Sequence, residues 1–341
     1  MRKFASPRLV ALFAGLVAAN IAAWIWAIAA FHGYPILLGT AFLAYSFGLR
    51  HAVDADHIAA IDNVTRKLMQ NARNSDCSGL YFSLGHSTVV ILASLGIAFG
   101  AGALSSQFPE IKTVGGVVGT TVSALFLFAI AVANIFILAG VYRAFQRVKS
   151  RGEFSDADLD SLSGSGPLTR VLRPLFALIR SAWQMYPLGF LFGLGFDTAT
   201  EIGVLGISAT EAAKGLSIWP LLIFPALFTA SMALVDTLDS VLMARAYGWA
   251  FVKPARKLYY NLTLTAASVL VALLVGSVEV LGMIADAMSL KGSFWGFVVQ
   301  LNSQFGMIGY LVIGLFAASW VVSLAVYYLK GYDRLTPELL H

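Results

Sequence analysis

The chain reads "PILLGTAFLAYSFG" from Pro35 to Gly48 and continues "LRHAVDADHIAAID" from Leu49 to Asp62. The first stretch has no charge. The second carries Arg50, His51, Asp54, Asp56, His57 and Asp62. An uncharged apolar run of this length is a helix made for hydrocarbon or for a protein core, and the charges that follow it need a reason in either setting. Composition decides the setting. Only 12% of the 341 residues are charged and 58% are hydrophobic, with a mean hydropathy of +0.78. Soluble domains carry about twice that charged share. The expected fold is therefore an all-α, polytopic integral membrane protein.

Apolar runs predict eight transmembrane helices near residues 10–31, 35–61, 81–104, 114–142, 184–207, 218–243, 259–284 and 305–329. Each approaches or exceeds the roughly 20 residues a helix needs to cross the bilayer. The first run follows Arg2, Lys3 and Arg8 but is too long for the apolar core of a signal peptide, so it reads as a span. With both termini cytoplasmic, 19 of the 23 basic residues fall on the inner side. Lys112, Lys214 and Lys291 fall outside, and Arg50 lies within the second span. Such an asymmetry sets the orientation. It also accounts for the net charge of +5 without a nucleic-acid partner. The single cysteine, Cys77, excludes an intramolecular disulfide and a cysteine-rich metal site.

The chain divides into a four-helix half over 1–142, a cytoplasmic linker over 143–183 and a second four-helix half over 184–341. The linker's centre, "GEFSDADLDSLSGSGP", is acidic and rich in Gly and Ser; Asp156, Asp158 and Asp160 there read as solvated loop residues. "FGL" recurs at Phe47 and Phe192, each time just before acidic residues. That pattern suits an inverted repeat, though three letters do not establish one.

On an unbroken helix His51, Asp54, His57 and Asp62 share one face, while Asp56 points away, towards Arg50 or a neighbouring helix. Imidazoles and carboxylates on one face suit a divalent transition metal. Three further clusters fall within spans. "FSLGHSTVV" holds His86, "LGFDTATEIG" holds Asp197 and Glu201, and "SMALVDTLDS" holds Asp236 and Asp239. The acidic pairs are spaced to share a helix face. Asp239 lies near the inner surface, where capping is the plainer use. Asn20 and Asn134 are isolated polar residues within spans. Glu279 and Asp286 share a later face towards the outer mouth, and His32 and His341 read as solvent groups. Each intramembrane charge costs about 2.5–3.5 kcal/mol at a helix centre. Arg50 is the only basic side chain placed to offset them, so the interior calls for a bound cation or for protons.

Taken together, the clusters resemble the nickel/cobalt transporter family (NiCoT), permeases of eight helices. "RHAVDADHI" over Arg50–Ile58 matches the second-helix signature in full. "GHSTVV", "LGFDTATE" and "SMALVDTLD" match the later ones in order, with Ser231 where the family has Gly. The resemblance implies secondary transport of Ni2+ or Co2+ into the cell across the bacterial cytoplasmic membrane. It implies His51, Asp54, His57, His86, Asp197, Glu201, Asp236 and Asp239 as metal ligands. Arg50, Asp56, Asp62, Asn20, Asn134, Thr198 and Thr200 are supporting residues. The ion is substrate, so no resident cofactor is expected. The partners are the ion and the lipid bilayer; no ATPase subunit is implied, and no phosphate-binding G-x-x-x-x-G-K-[ST] loop occurs. A metal exporter is the main alternative, though the 143–183 loop lacks the histidines exporters often carry. An intramembrane metalloprotease needs H-E-x-x-H, which "HAVDADH" does not supply. A structural or sensor protein would pair its acidic groups with basic ones, which are scarce here.

Overall fold

The computed structural model describes residues 6–70, 73–99, 104–151, 179–195, 199–250 and 254–329. Every regular element among them is helical. Local chemistry sets several ends. Ser6 accepts a hydrogen bond from the Leu9 N–H ahead of Pro7, opening α1 (Pro7–Phe31). Pro35 takes the first position of α2 (Pro35–His51), without a side-chain cap from Tyr34. α3 (Ala55–Gln70), α4 (Ser78–Phe99) and α5 (Leu104–Arg151) follow, then α6 (Met185–Gly193) and α7 (Ala199–Ala213). α7 ends where Gly215 adopts a left-handed φ of 86°. The N–H groups of Gly215 and Leu216 then reach back to Ala212 and Glu211 and close the last carbonyls. The short α8 (Ile218–Leu221) meets α9 (Ile223–Ala250) at a break. Pro225 has no N–H to give the Leu221 carbonyl, so the helical hydrogen bonding is interrupted there. α10 (Pro254–Ala287), α11 (Ser293–Ser303) and α12 (Phe305–Leu329) complete the bundle.

Among the described residues, six helical stretches are long and apolar enough to cross a membrane: Pro7–Phe31, Ser78–Phe99, Val114–Arg143, Ile218–Gly248, Leu262–Ala287 and Phe305–Val326. α2 and α3 qualify only as a pair, bent by 51°. Thus the second expected span, 35–61, is not one helix: it breaks at Ala52–Asp54 and its second arm runs on to Gln70. The fifth, 184–207, is divided between α6 and α7. Large apolar side chains such as Ile25, Ile36, Leu125 and Leu311 point outward. This outer surface is what a lipid-embedded bundle requires. The molecule is a multi-pass membrane protein.

Among the described residues the bundle holds a small apolar core around Tyr247, Tyr260 and Leu264 and two large ones. One joins α3, α4, α5, α6, α10 and α12 through residues such as Ile58, Phe82, Leu127, Val275 and Phe316. The other joins α1, α2, α4, α7 and α9 through Phe31, Ala44, Val90, Val204 and Phe228. α2 packs on α9 as α6 packs on α4, and α3 packs on α9 as α7 packs on α4. The α4–α6 contact is close because Gly85 faces the Tyr186 carbonyl and Gly189 faces the Phe82 carbonyl. α3 is the exception to apolar packing. Of its 16 residues, 12 are buried, among them His57, Asp62, Asn63, Thr65 and Arg66. Arg66, expected on a cytoplasmic loop, lies inside the bundle with 1% of its surface exposed.

Candidate metal centre

The break between α2 and α3 creates the site. At the end of α2 the Val53 and Asp54 N–H groups bond three residues back, to Arg50 and His51, and α3 restarts with Ile58 N–H on the Asp54 carbonyl. Two glycines of α12 seat this turn. A Cβ at Gly309 would strike the Val53 carbonyl, and one at Gly306 would meet Asp54 and Arg50 at 3.2 and 3.4 Å. Composition around the break gives no warning of it, because the cause is a close approach from another helix.

The turn swings His51 and His57 to the same point, where α4 brings His86. The three ring centroids stand 4.5, 4.7 and 4.8 Å apart, and one ring nitrogen from each lies within 4.8 Å of the others. All three histidines are at most 2% exposed. His51 Nε2 is 2.8 Å from His86 Nε2, which is 2.7 Å from Glu201 Oε1 of α7. Glu201 Oε1 lies 4.0 Å from His51 Nε2. Phe82 and Phe228 close the walls, their ring centroids 4.7 Å from His57 and 5.5 Å from His51 respectively.

Carboxylates stand behind two of the rings. Asp54 Oδ2 is 2.8 Å from His51 Nδ1, with the Thr200 hydroxyl at 3.2 Å from the same nitrogen. Asp236 Oδ2 is 3.4 Å from His57 Nδ1 and accepts a 2.6 Å hydrogen bond from Ser83. His57 Nε2, His86 Nδ1 and Asp236 Oδ1 are buried without a hydrogen-bond partner among the described residues. Orphaned lone pairs inside a bilayer are costly, and a cation relieves that cost.

The helical-wheel expectation needs one correction. Asp62 does not share the face of the histidines. It accepts hydrogen bonds from Tyr247 and Ser268 at 2.6 and 2.9 Å, in a second polar group farther along α3. The bend between α2 and α3 removes the common axis on which the wheel was drawn. Asp56 lies close enough to act electrostatically on His86, and Arg50 likewise on Asp54. Asn134 donates to Asn63. Asn20 ties α1 to α2 and α9 through Tyr45 and the Ala230 carbonyl. Asp239 sits one turn from Asp236. Asp197 and Thr198 lie outside the described residues. Ser231, at the motif's usual Gly, packs against Gly48, which provides the room, and bonds to the Tyr45 and Phe228 carbonyls. Ser83, Phe82, Phe228, Gly306 and Gly309 were not singled out from the sequence. Only Ser83, one turn before His86, had a helical-spacing signal.

A lipid-embedded helical bundle with three buried histidines and a carboxylate converging on one point defines a membrane protein that handles a metal ion. Comparison with known proteins supplies the family. Residues 37–326 match the family model for the high-affinity nickel-transport protein, NicO. The chain is similar to a high-affinity nickel transport protein of Cupriavidus necator, 57% identical over 96% of this chain and 93% of that one. It is 53% identical to the hydrogenase nickel incorporation protein HupN of Bradyrhizobium diazoefficiens, over 93% and 83% of the two chains. With the cobalt transport protein NhlF of Rhodococcus rhodochrous it shares 38% identity over 86% and 84%. No solved structure matches significantly. The chain belongs to the high-affinity nickel-transport protein family; it is a transporter, not an enzyme.

Proposed function

We propose that this protein is a permease that takes Ni2+ and/or Co2+ into the cell across the bacterial cytoplasmic membrane. The observation that carries the reading is the spacing of His51 Nε2, His86 Nε2 and Glu201 Oε1: two short edges of 2.8 and 2.7 Å and a long one of 4.0 Å. Donors at right angles around an ion about 2.0 Å from each stand about 2.8 Å apart, and opposed donors about 4.0 Å. A tetrahedral ion would need three edges near about 3.3 Å. Tetragonal nitrogen and oxygen sites suit Ni2+ over Zn2+. His57 Nε2, unpartnered and buried, is the natural fourth donor. Asp54 and Asp236 then orient His51 and His57 from behind and make them better donors.

The sequence favours eight crossings with both termini inside. α6 and α7 together form one broken crossing, and α2 and α3 another. The paired packing of α2 on α9 and α6 on α4 supports an inverted repeat that matches α2–α3 with α6–α7 and α4 with α9 about the histidines. An ion entering a cell held at 100 mV, negative inside, gains about 4.6 kcal/mol for its two charges. That drives over three decades of accumulation without ATP. Neutral imidazoles bind the ion, so protons compete with it for the site.

The test is uptake of radioactive Ni2+ and Co2+ into cells at nanomolar concentration, with His57→Ala at matched membrane expression. Uptake by the intact protein that the variant abolishes is the expected result, and the isotope ratio gives selectivity. A fall in cellular metal on expression means export and overturns the reading.

A further inference from the structure

Beyond His57, α3 carries a second buried polar group that the histidine site does not use. Asp62 is 0% exposed and is held by the hydroxyls of Tyr247 and Ser268. Arg66, one turn on, donates to the Thr265 hydroxyl at 2.7 Å and to Asn63 Oδ1 at 3.3 Å, and Asn63 Oδ1 also accepts from Asn134. Its Nε is buried with no acceptor among the described residues. Across the seam, Asp239 on α9 lies within electrostatic range of both Asp62 and Asp236. Asp239 Oδ2 is buried without a hydrogen-bond partner among the described residues.

This is not how a structural ion pair is built. A stabilising buried arginine grips a carboxylate with both arms. Arg66 instead hydrogen-bonds neutral oxygens and acts on Asp62 only through space; hydroxyls hold Asp62, and Asp239 Oδ2 has no hydrogen-bond partner among the described residues. The carboxylates continue the metal centre. Asp236 touches His57, and Asp239 is about 4.5 Å farther along α9. Asp62 is about 7.5 Å past His57 along α3, and Arg66 about 13.5 Å. The order along the seam is histidines, carboxylates, guanidinium.

We propose that Asp62 and Asp239 form a staging site for the divalent ion on its way out of the histidine centre, and that Arg66 is a tethered cation closing the α3–α9 seam beyond it. The proposal rests on the permease reading. An ion stepping from His57 to Asp239 exchanges imidazole for carboxylate and meets the guanidinium's repulsion. Release needs Arg66 to move off the seam, and its neutral partners make that displacement cheaper than breaking an ion pair. With Gln70 on the cytoplasmic side, the route leads inward.

The full chain is tested in detergent for equilibrium Ni2+ binding and in liposomes for Ni2+ uptake. The unmodified protein must bind and transport first; if it does neither, the permease reading fails and the staging site is not at issue. Asp239→Asn is expected to keep Ni2+ affinity within about twofold while uptake falls at least about tenfold, because it removes a relay and not the histidine site. Arg66→Gln is expected to hold a second equivalent of Ni2+, which the Arg66→Gln/Asp239→Asn double variant loses. Uptake by Asp239→Asn at the unmodified rate, or binding lost in step with uptake, overturns the proposal. So does unaltered stoichiometry in a folded Arg66→Gln. If Arg66→Gln fails to insert, Asp239→Asn still decides.

Discussion

His51 and His57 each face a carboxylate through Nδ1, at 2.8 and 3.4 Å. A ring that donates Nδ1–H to an acid presents a lone pair on Nε2, and the acid's charge strengthens that lone pair as a donor. Asp54→Asn and Asp236→Asn are therefore expected to weaken Ni2+ binding about 10- to 100-fold without removing a donor atom. Ser83→Ala takes one hydrogen bond from Asp236, about 1 kcal/mol, and is expected to weaken binding roughly fivefold. Titration of detergent-solubilised protein with Ni2+ checks the ranking; equal losses for Ser83→Ala and Asp236→Asn would mean that Asp236 acts through Ser83 alone. At this scale much of the site was legible. Two histidines and an aspartate within one apolar stretch have no inexpensive packing use, and the sequence marked His86, Glu201 and Asp236 for the same reason. The division between donors and orienting acids was not legible, because it depends on which ring nitrogen each acid reaches.

Among the elements, the break at Ala52–Asp54 matters most, and α12 holds it. No proline interrupts the stretch and no glycine lies within the break itself, so hydropathy and periodicity read it as one helix through Ile61. The cause is remote: the Val53 carbonyl occupies the space that any side chain at Gly309 would need. Gly309→Ala must push α12 away or reset the turn, and either separates His51 from His57. Sites of this kind lose function on shifts of about 1 Å. The expected result is a protein that inserts normally, since alanine favours helix, but takes up Ni2+ at least about tenfold more slowly. Gly314→Ala, on the same helix with no atom within 4 Å of its Cβ position, is the matched control and is expected to transport normally. Similar loss in both variants would locate the defect in α12 as a whole and not in the turn.

For the whole molecule, hydropathy located the bundle because lipid-facing surface is a property of composition, while charge bias gives only the expected sides. The number of crossings was less accessible, because a window of sequence cannot see α2 bend into α3 or α6 give way to α7. Sidedness has a direct probe in Cys77, the chain's single cysteine. It sits half-buried in the ordered turn between α3 and α4, where Asp76 N–H bonds the Asn74 side chain. With both termini inside, this turn faces the cytoplasm, as Arg73 beside it favours. Burial, and then the neighbouring Asp76 carboxylate, push the thiol's pKa up. Only the thiolate reacts, so labelling by a membrane-impermeant maleimide is expected to be slow at neutral pH and to accelerate as pH rises. At one alkaline pH on both sides, inside-out vesicles should label and intact spheroplasts should not, and Cys77→Ser should remove the signal. Labelling of spheroplasts alone would reverse the orientation. The seam from His57 to Arg66 would then run outward, making Arg66 the guard of entry instead of release.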